Sequence, residues 1–263
     1  RRVLERYISM ATQEGVCQAV FPEGGLSRDG ALREPRLGIL DYMLRHYNAD
    51  HDREIVFVPV GLNYDRTLED RTLLRSLEES PEHRSKSFVL RKTFGFVFHN
   101  IFLMLRSRWY RLGFAQVHFG HPVSARDFCR ERNIRFDELD TEQRFQQVGE
   151  LAQRLMAAIG DVVPVSPTAA IAHILSQPNC ASLPARAVVE KTLDLIANLD
   201  RHGVLITLPK LTLAHTVTQA LNMLVLRHIV LQDEAGNCEV PEESRPILSY
   251  YANALAPHLE LTG

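Results

Sequence analysis

Between Glu23 and Arg28, in Phe21-Pro22-Glu23-Gly24-Gly25-Leu26-Ser27-Arg28-Asp29-Gly30, lie residue types suited to holding an anionic ligand. Gly24 and Gly25 let backbone N–H groups approach a ligand closely and adopt dihedrals closed to other residues. Arg28 offers a planar fork that matches phosphate, and Ser27 adds a hydroxyl. Glu23 can accept hydrogen bonds from substrate hydroxyls or orient an arginine. Pro35-Arg36-Leu37-Gly38 opens the next helical pattern, where free N–H groups and the Arg36 side chain would reinforce an anion site. Taken alone, the same string also describes an ordinary glycine turn with a surface arginine. Farther on, Pro59 is suited to shaping a pocket or its wall. Tyr64-Asp65 and Glu69 read as positioning or capping groups.

The elements that must position these groups follow from hydrophobic period. Val3–Glu14 has helical spacing and stops at Gly15. Val16–Phe21 is short, apolar and bounded by Gly15 and Pro22, and is expected to be a buried strand. A second helix runs through Leu37, Leu40 and Leu44. Ile55–Val60 is a second strand, with Pro59 requiring an edge, bulge or terminus, and Phe114–Phe119 is a third. Short apolar strands separated by helices imply an α/β fold with a mainly parallel sheet, whose ligands bind beyond the carboxyl ends of the strands.

After about residue 127 the pattern becomes mainly helical. Helices are expected at 141–159, 168–176, 186–200, 212–228 and 243–255. A linker is expected at Val162–Ala169, and a hairpin at Ile229–Val240 turning at Ala235-Gly236-Asn237. The expected division is therefore an α/β part at 1–126 and a helical C-terminal part at 127–263. The helices and hairpin of 186–257 are similar to a winged helix, but the later helices carry few basic residues, so nucleic acid is not read as a partner.

The 263 residues carry 45% hydrophobic and 24% charged residues and a net charge of −2. These values exclude a disordered tail, a small disulfide scaffold and a collagen-like fibre. Cys17, Cys129, Cys180 and Cys238 are far apart with no CxxC pair, so reduced thiols are expected and no metal site is read. Neither Val162–Ala185, broken by prolines, nor the short Thr93–Leu105 qualifies as a spanning helix.

The near-neutral total hides an asymmetry. Residues 83–126 contain no Asp or Glu and carry a charge of +8, with nine of the 20 aromatic residues. Basic residues around a Phe-rich apolar stretch suit an interfacial segment that meets anionic lipid headgroups. They also suit a phosphate-bearing ligand or an acidic protein. A buried helix with a solvated basic rim has the same pattern.

Phe21–Gly30 resembles the third block of the glycerophosphate acyltransferase family, usually Phe-x-Glu-Gly followed by Gly or Thr and then Arg-Ser-Arg. Glu34–Gly38 resembles the family's Pro-(Lys/Arg)-x-Gly. Val56–Asp65 resembles its fourth block, and Val117–Ser124 its Val-x-Phe-Gly-x-Pro-x-Ser turn. The helical remainder, ending Ser249-Tyr250-Tyr251-Ala252-Asn253, is similar to the C-terminal region of the bacterial glycerol-3-phosphate enzymes. The resemblance implies transfer of a fatty acyl group from acyl-CoA or acyl carrier protein to the sn-1 hydroxyl of glycerol 3-phosphate. The product would be lysophosphatidate, for phospholipid synthesis at the cytoplasmic face of the cell membrane, with no metal or other cofactor. Glu23, Gly24, Gly25, Ser27, Arg28, Arg36 and Pro59 are then the substrate-binding residues.

Two departures stand beside this resemblance. Leu26 replaces the family's arginine, and the family's catalytic His-x4-Asp block, expected upstream of Phe21, is not in this chain. It is expected in a more N-terminal segment, so no residue here is read as catalytic. His228 and Asp233 have that spacing, but on the wrong side of the glycine block, and read as chance. A dihydroxyacetone-phosphate or lysophosphatidate acyltransferase, or a non-catalytic phosphate-binding module, fits the same blocks.

Overall fold

The computed structural model describes residues 2–25, 27–67, 115–178, 182–206, 208 and 212–259. Its first helices, α1 (Arg2–Gln13) and α2 (Gly38–Leu44), pack on one another. Among the described residues, four short strands lie between α2 and the helices described after it: β1 (Val56–Phe57), β2 (Val60–Tyr64), β3 (Ala115–Phe119) and β4 (Val123–Ser124). β1 pairs with β4 and β2 with β3, both antiparallel, in a register from Val60↔Phe119 to Tyr64↔Ala115. Pro59, without an N–H, separates β1 from β2, while its carbonyl accepts from the Gly120 N–H at 2.8 Å.

The chain thus mixes α and β as expected, but no parallel pairing occurs among the described residues. Residues 16–21 also differ from expectation. They run without strand pairing, and Val16 and Phe21 are exposed. An apolar composition supplies the potential to form a strand; a ladder needs a partner with its own unpaired N–H and C=O groups.

The second half of this core comes from α3 (Ala125–Arg132) and α4 (Thr141–Asp161). Ser124 caps α3 by accepting from the Asp127 N–H at 3.0 Å, and Asp140 with Gln143 forms a capping box on α4. Leu40 and Leu44 of α2, Phe128 of α3, Phe136, and Val148, Leu151 and Leu155 of α4 make one continuous cluster. Phe128 and Phe136 stack with centroids 6.4 Å apart. Asp41, 1% exposed, accepts from Arg144 Nε at 2.8 Å and also pairs with Arg45, which ties α2 to α4 by charge as well as packing.

The stretch 162–169, expected as a linker, is instead mostly core. Val163, Val165 and Ser166 are buried and lead into α5 (Pro167–Leu175). Ser166 caps that helix at the Ala169 N–H (3.1 Å), and Pro167 occupies its first turn, where no N–H is needed. Ala169, Ala170, Ile171 and Ala172 are buried on every side, as in a central core helix. Around α5 pack α6 (Ala185–Arg201), α7 (Leu213–Leu226) and α8 (Arg245–Ala252).

Three short antiparallel strands lie beside them in the order β5, β7, β6: β5 (Ser182–Pro184), β6 (Leu231–Gln232) and β7 (Asn237–Glu239). β6 and β7 are the expected hairpin; β5 joins it without a sequence signal. The chain closes through a 3-10 turn at Asn253–Leu255 and α9 (Ala256–Leu259), where His258 is buried with Nε2 2.6 Å from the Val163 carbonyl. No helix among the described residues is long and apolar enough to cross a membrane.

Candidate functional site

The segment 22–36 is a closed loop. The Arg36 N–H donates to the Pro22 carbonyl at 2.8 Å and joins its two ends. Inside it, the Gly24 N–H donates to the Phe21 carbonyl at 3.0 Å, forming a tight turn. Gly24 has φ +68°, and a Cβ there would lie 2.5 Å from Arg36 Cδ. Glycine at this position therefore permits both the left-handed turn and the passage of the Arg36 side chain across it.

Glu23 is half-buried and accepts from the Arg33 N–H at 3.1 Å. Burial raises its pKa above the ordinary glutamate value, against the lowering effect of that N–H. Ser27 Oγ lies 3.1 Å from Asp29 Oδ1 and 2.9 Å from the Ala31 carbonyl. Both are acceptors, so the single hydroxyl proton is used within the loop, and Ser27 acts first as a loop-shaping residue. Gly25, Arg28 and Arg36 are exposed.

The structure thus brings together six of the seven expected residues: Glu23, Gly24, Gly25, Ser27 and Arg28 within one loop, and Arg36 folded back across Gly24. Pro59 belongs to a separate segment, between β1 and β2. It is buried, and its ring packs on Gly120 at the junction of the two strand pairs. Asp65 is buried just past the end of β2, while Tyr64 is exposed. Leu26, Glu69 and most of the basic segment 83–126 lie outside the described residues; of that segment, 115–126 is described and carries exposed Val117 and Phe119.

Asp233 is a turn residue. Its carboxylate accepts from the Asn237 N–H and Nδ2, each at 2.8 Å, and those bonds lower its pKa. His228 is exposed with φ +55° at the end of α7. The pair forms a helix exit and a hairpin turn.

Sequence reasoning missed the residues that grip the loop from outside. Asn253 Nδ2 donates to the Asp29 carbonyl at 2.9 Å. Gly30, with φ +80°, lies so close to the C-terminal part that a Cβ would sit 1.9 Å from the Tyr250 carbonyl oxygen. Gln153 of α4 donates to Glu34 at 2.7 Å. The Tyr251 hydroxyl accepts from the Thr67 N–H (3.3 Å) and from Arg227 (3.0 Å). Spacing could not reveal these partners, because 224 residues separate Asp29 from Asn253.

Residues 100–261 match the family model described as the glycerol-3-phosphate acyltransferase C-terminal region, which covers more than half of the chain. The chain belongs to the glycerol-3-phosphate acyltransferase family. A glycerol-3-phosphate acyltransferase of Pseudomonas entomophila (strain L48) is 27% identical over 271 residues, covering 99% of this chain and 31% of that protein. Relatives of the same name from Ectopseudomonas mendocina (strain ymp) and Pseudomonas aeruginosa (strain LESB58) are each 29% identical over 205 residues, 76% of this chain and 23% of theirs. The matched part of the chain thus spans 23% to 31% of the length of these acyltransferases. Within this member of the family, the matched C-terminal region supplies Tyr250, Tyr251 and Asn253 to the glycine loop and to the end of β2.

Proposed function

We propose that this chain is the acceptor-binding part of a bacterial-type glycerol-3-phosphate O-acyltransferase. In the proposed reaction the sn-1 hydroxyl oxygen of glycerol 3-phosphate attacks the carbonyl carbon of an acyl thioester of coenzyme A or acyl carrier protein. The C–S bond breaks, the hydroxyl proton leaves to a general base and then to the departing thiolate, and lysophosphatidate forms. No residue of this chain is assigned as that base. Its contribution is binding: Arg28 meets the phosphate from the exposed side of the loop, with the Gly24-Gly25 backbone beneath it and Arg36 as a second cation. Glu23 orients the glycerol hydroxyls, Ser27 keeps the loop in shape, and Pro59, at the junction of the strand pairs, shapes the pocket.

The observation that carries this reading is the closed loop itself, with exposed Arg28 and with Arg36 drawn across Gly24. Two guanidinium groups on a constrained glycine loop offer a phosphate charge-assisted bonds without a metal or other cofactor. Calorimetric titration tests the reading. Glycerol 3-phosphate should bind saturably, dihydroxyacetone phosphate and lysophosphatidate more weakly, and glycerol not at all. Equal heats for glycerol and glycerol 3-phosphate would remove the phosphate assignment.

The wider setting belongs to the same proposal. Residues 83–126 would meet anionic lipid at the cytoplasmic face of the cell membrane, and nucleic acid is not a partner. The division at 126/127 into an α/β part and a helical part belongs to it too, with residues 128–155 packed on residues 40–49 across that line. A mainly parallel sheet in the α/β part belongs to the same proposal. If charge-neutralising Arg106, Arg108 and Arg111 left liposome binding unchanged, the membrane role of 83–126 would fail.

A further inference from the structure

We infer that Asn253 is a positioning residue for the acceptor-binding loop, fixing Arg28 through the Asp29 backbone from the far end of the chain. The inference rests on the reading of residues 21–36 as the phosphate-binding loop. Arg28 is exposed, so its placement depends on the backbone on either side of it. On one side, the Ser27 hydroxyl is engaged by Asp29 Oδ1 and the Ala31 carbonyl. On the other, Asp29 is held twice: its carboxylate accepts from the Ala31 N–H at 3.2 Å, and its carbonyl accepts from Asn253 Nδ2 at 2.9 Å. All but the last of these bonds lie within the loop and would travel with it if it moved. Among the described residues, the Asn253 bond ties the Asp29 backbone, next to Arg28, to a part of the protein outside the loop.

Two further contacts make the attachment specific. Gly30 meets the Tyr250 carbonyl with no room for a Cβ, so the loop and the last turn of α8 touch backbone to backbone. The neighbouring Tyr251 hydroxyl accepts from the Thr67 N–H, two residues beyond Asp65. The stretch 250–253 therefore touches both the glycine loop and the chain leaving β2, the two segments that carry the strongest sequence resemblance. It is itself anchored, since Ile247, Leu248, Tyr251 and Leu255 are buried in the second hydrophobic cluster. An anchored donor that fixes the backbone beside an exposed cation lowers the ordering cost of binding without touching the ligand.

Isothermal titration of glycerol 3-phosphate into the purified chain tests this, with Arg28→Ala as the reference for the phosphate reading. Asn253→Ala and the isosteric Asn253→Asp, which lacks the donor, should each weaken binding about three- to tenfold, and Asn253→Gln should recover part of the loss. Hydrogen exchange without ligand should accelerate at residues 27–31 and stay unchanged in α6 and α7. If Asn253→Ala loses its fold, exchange in α6 and α7 will show it, and Asn253→Asp then carries the comparison. Wild-type affinity in both Asn253→Ala and Asn253→Asp, with weakened affinity in Arg28→Ala, overturns the positioning role alone. Wild-type affinity in Arg28→Ala overturns the phosphate reading and this inference with it.

Discussion

Arg36 can cross the glycine turn only because residue 24 has no side chain. Gly24→Ala combines the cost of a positive φ, about 1–2 kcal/mol, with a Cβ 2.5 Å from Arg36 Cδ. Urea unfolding should show a loss of at least that size, and Arg36 would have to leave its place. Glu23 supplies a pH test at the same scale. Burial favours its protonated form in the folded state, so the stability it adds is complete below the ordinary glutamate range and is lost as pH rises through its raised value. Urea midpoints measured from about pH 4 to 7 should therefore depend less on pH in Glu23→Gln than in the wild type. At this scale the sequence is most informative where neighbours in the chain are neighbours in space. Glu23 to Arg28 could be read as one site because a short turn must keep them together. The use of the Ser27 proton within the loop could not, since it depends on how the turn closes onto Asp29 and Ala31.

Among the elements, α2 and α4 are joined by a buried charge cluster in which Asp41 serves Arg144 and Arg45. Removing one member of a buried pair strands its partner, at a cost of about 3–5 kcal/mol. Asp41→Ala should lower stability by an amount near that range, and in a double-mutant cycle with Arg144→Met the two losses should not add. The cap of α5 is a smaller test. Ser166→Ala removes the acceptor for the Ala169 N–H in a buried setting and should cost about 1 kcal/mol. The long helices were legible from their 3.6-residue period, α4 and α6 nearly to the residue. The stretch 162–169 was misread because Pro and Ser mark both linkers and helix starts. Here Ser166 is a cap and Pro167 a first-turn residue, and the alanines that follow are small because α6, α7 and α8 press on α5. The strand reading at 16–21 failed for the converse reason, since composition says nothing about an available pairing partner.

Across the whole molecule, α9 packs on α4, and α4 in turn on β2. His118 of β3 is buried there near His258, and its pKa is depressed first by burial and then by His258, against the raising effect of the Val162 carbonyl. A histidine kept neutral in the fold adds stability that is present above its unfolded pKa and lost as pH falls through the folded one. Stability should therefore decline as pH drops below about 6.5, and His118→Leu should flatten that decline in urea midpoints across the same window. The grip of residues 250–253 on the glycine loop is also a whole-molecule feature. It joins opposite ends of the chain, so no local pattern announces it.

The central claim, that the closed glycine loop binds the phosphate of glycerol 3-phosphate through Arg28, is tested most directly by one measurement: the calorimetric Kd of glycerol 3-phosphate for the wild-type chain and for Arg28→Ala. Loss of a charge-assisted contact of about 1.5–3 kcal/mol should weaken binding at least tenfold in Arg28→Ala, with the fold unchanged. Equal affinities for the two proteins would contradict the claim.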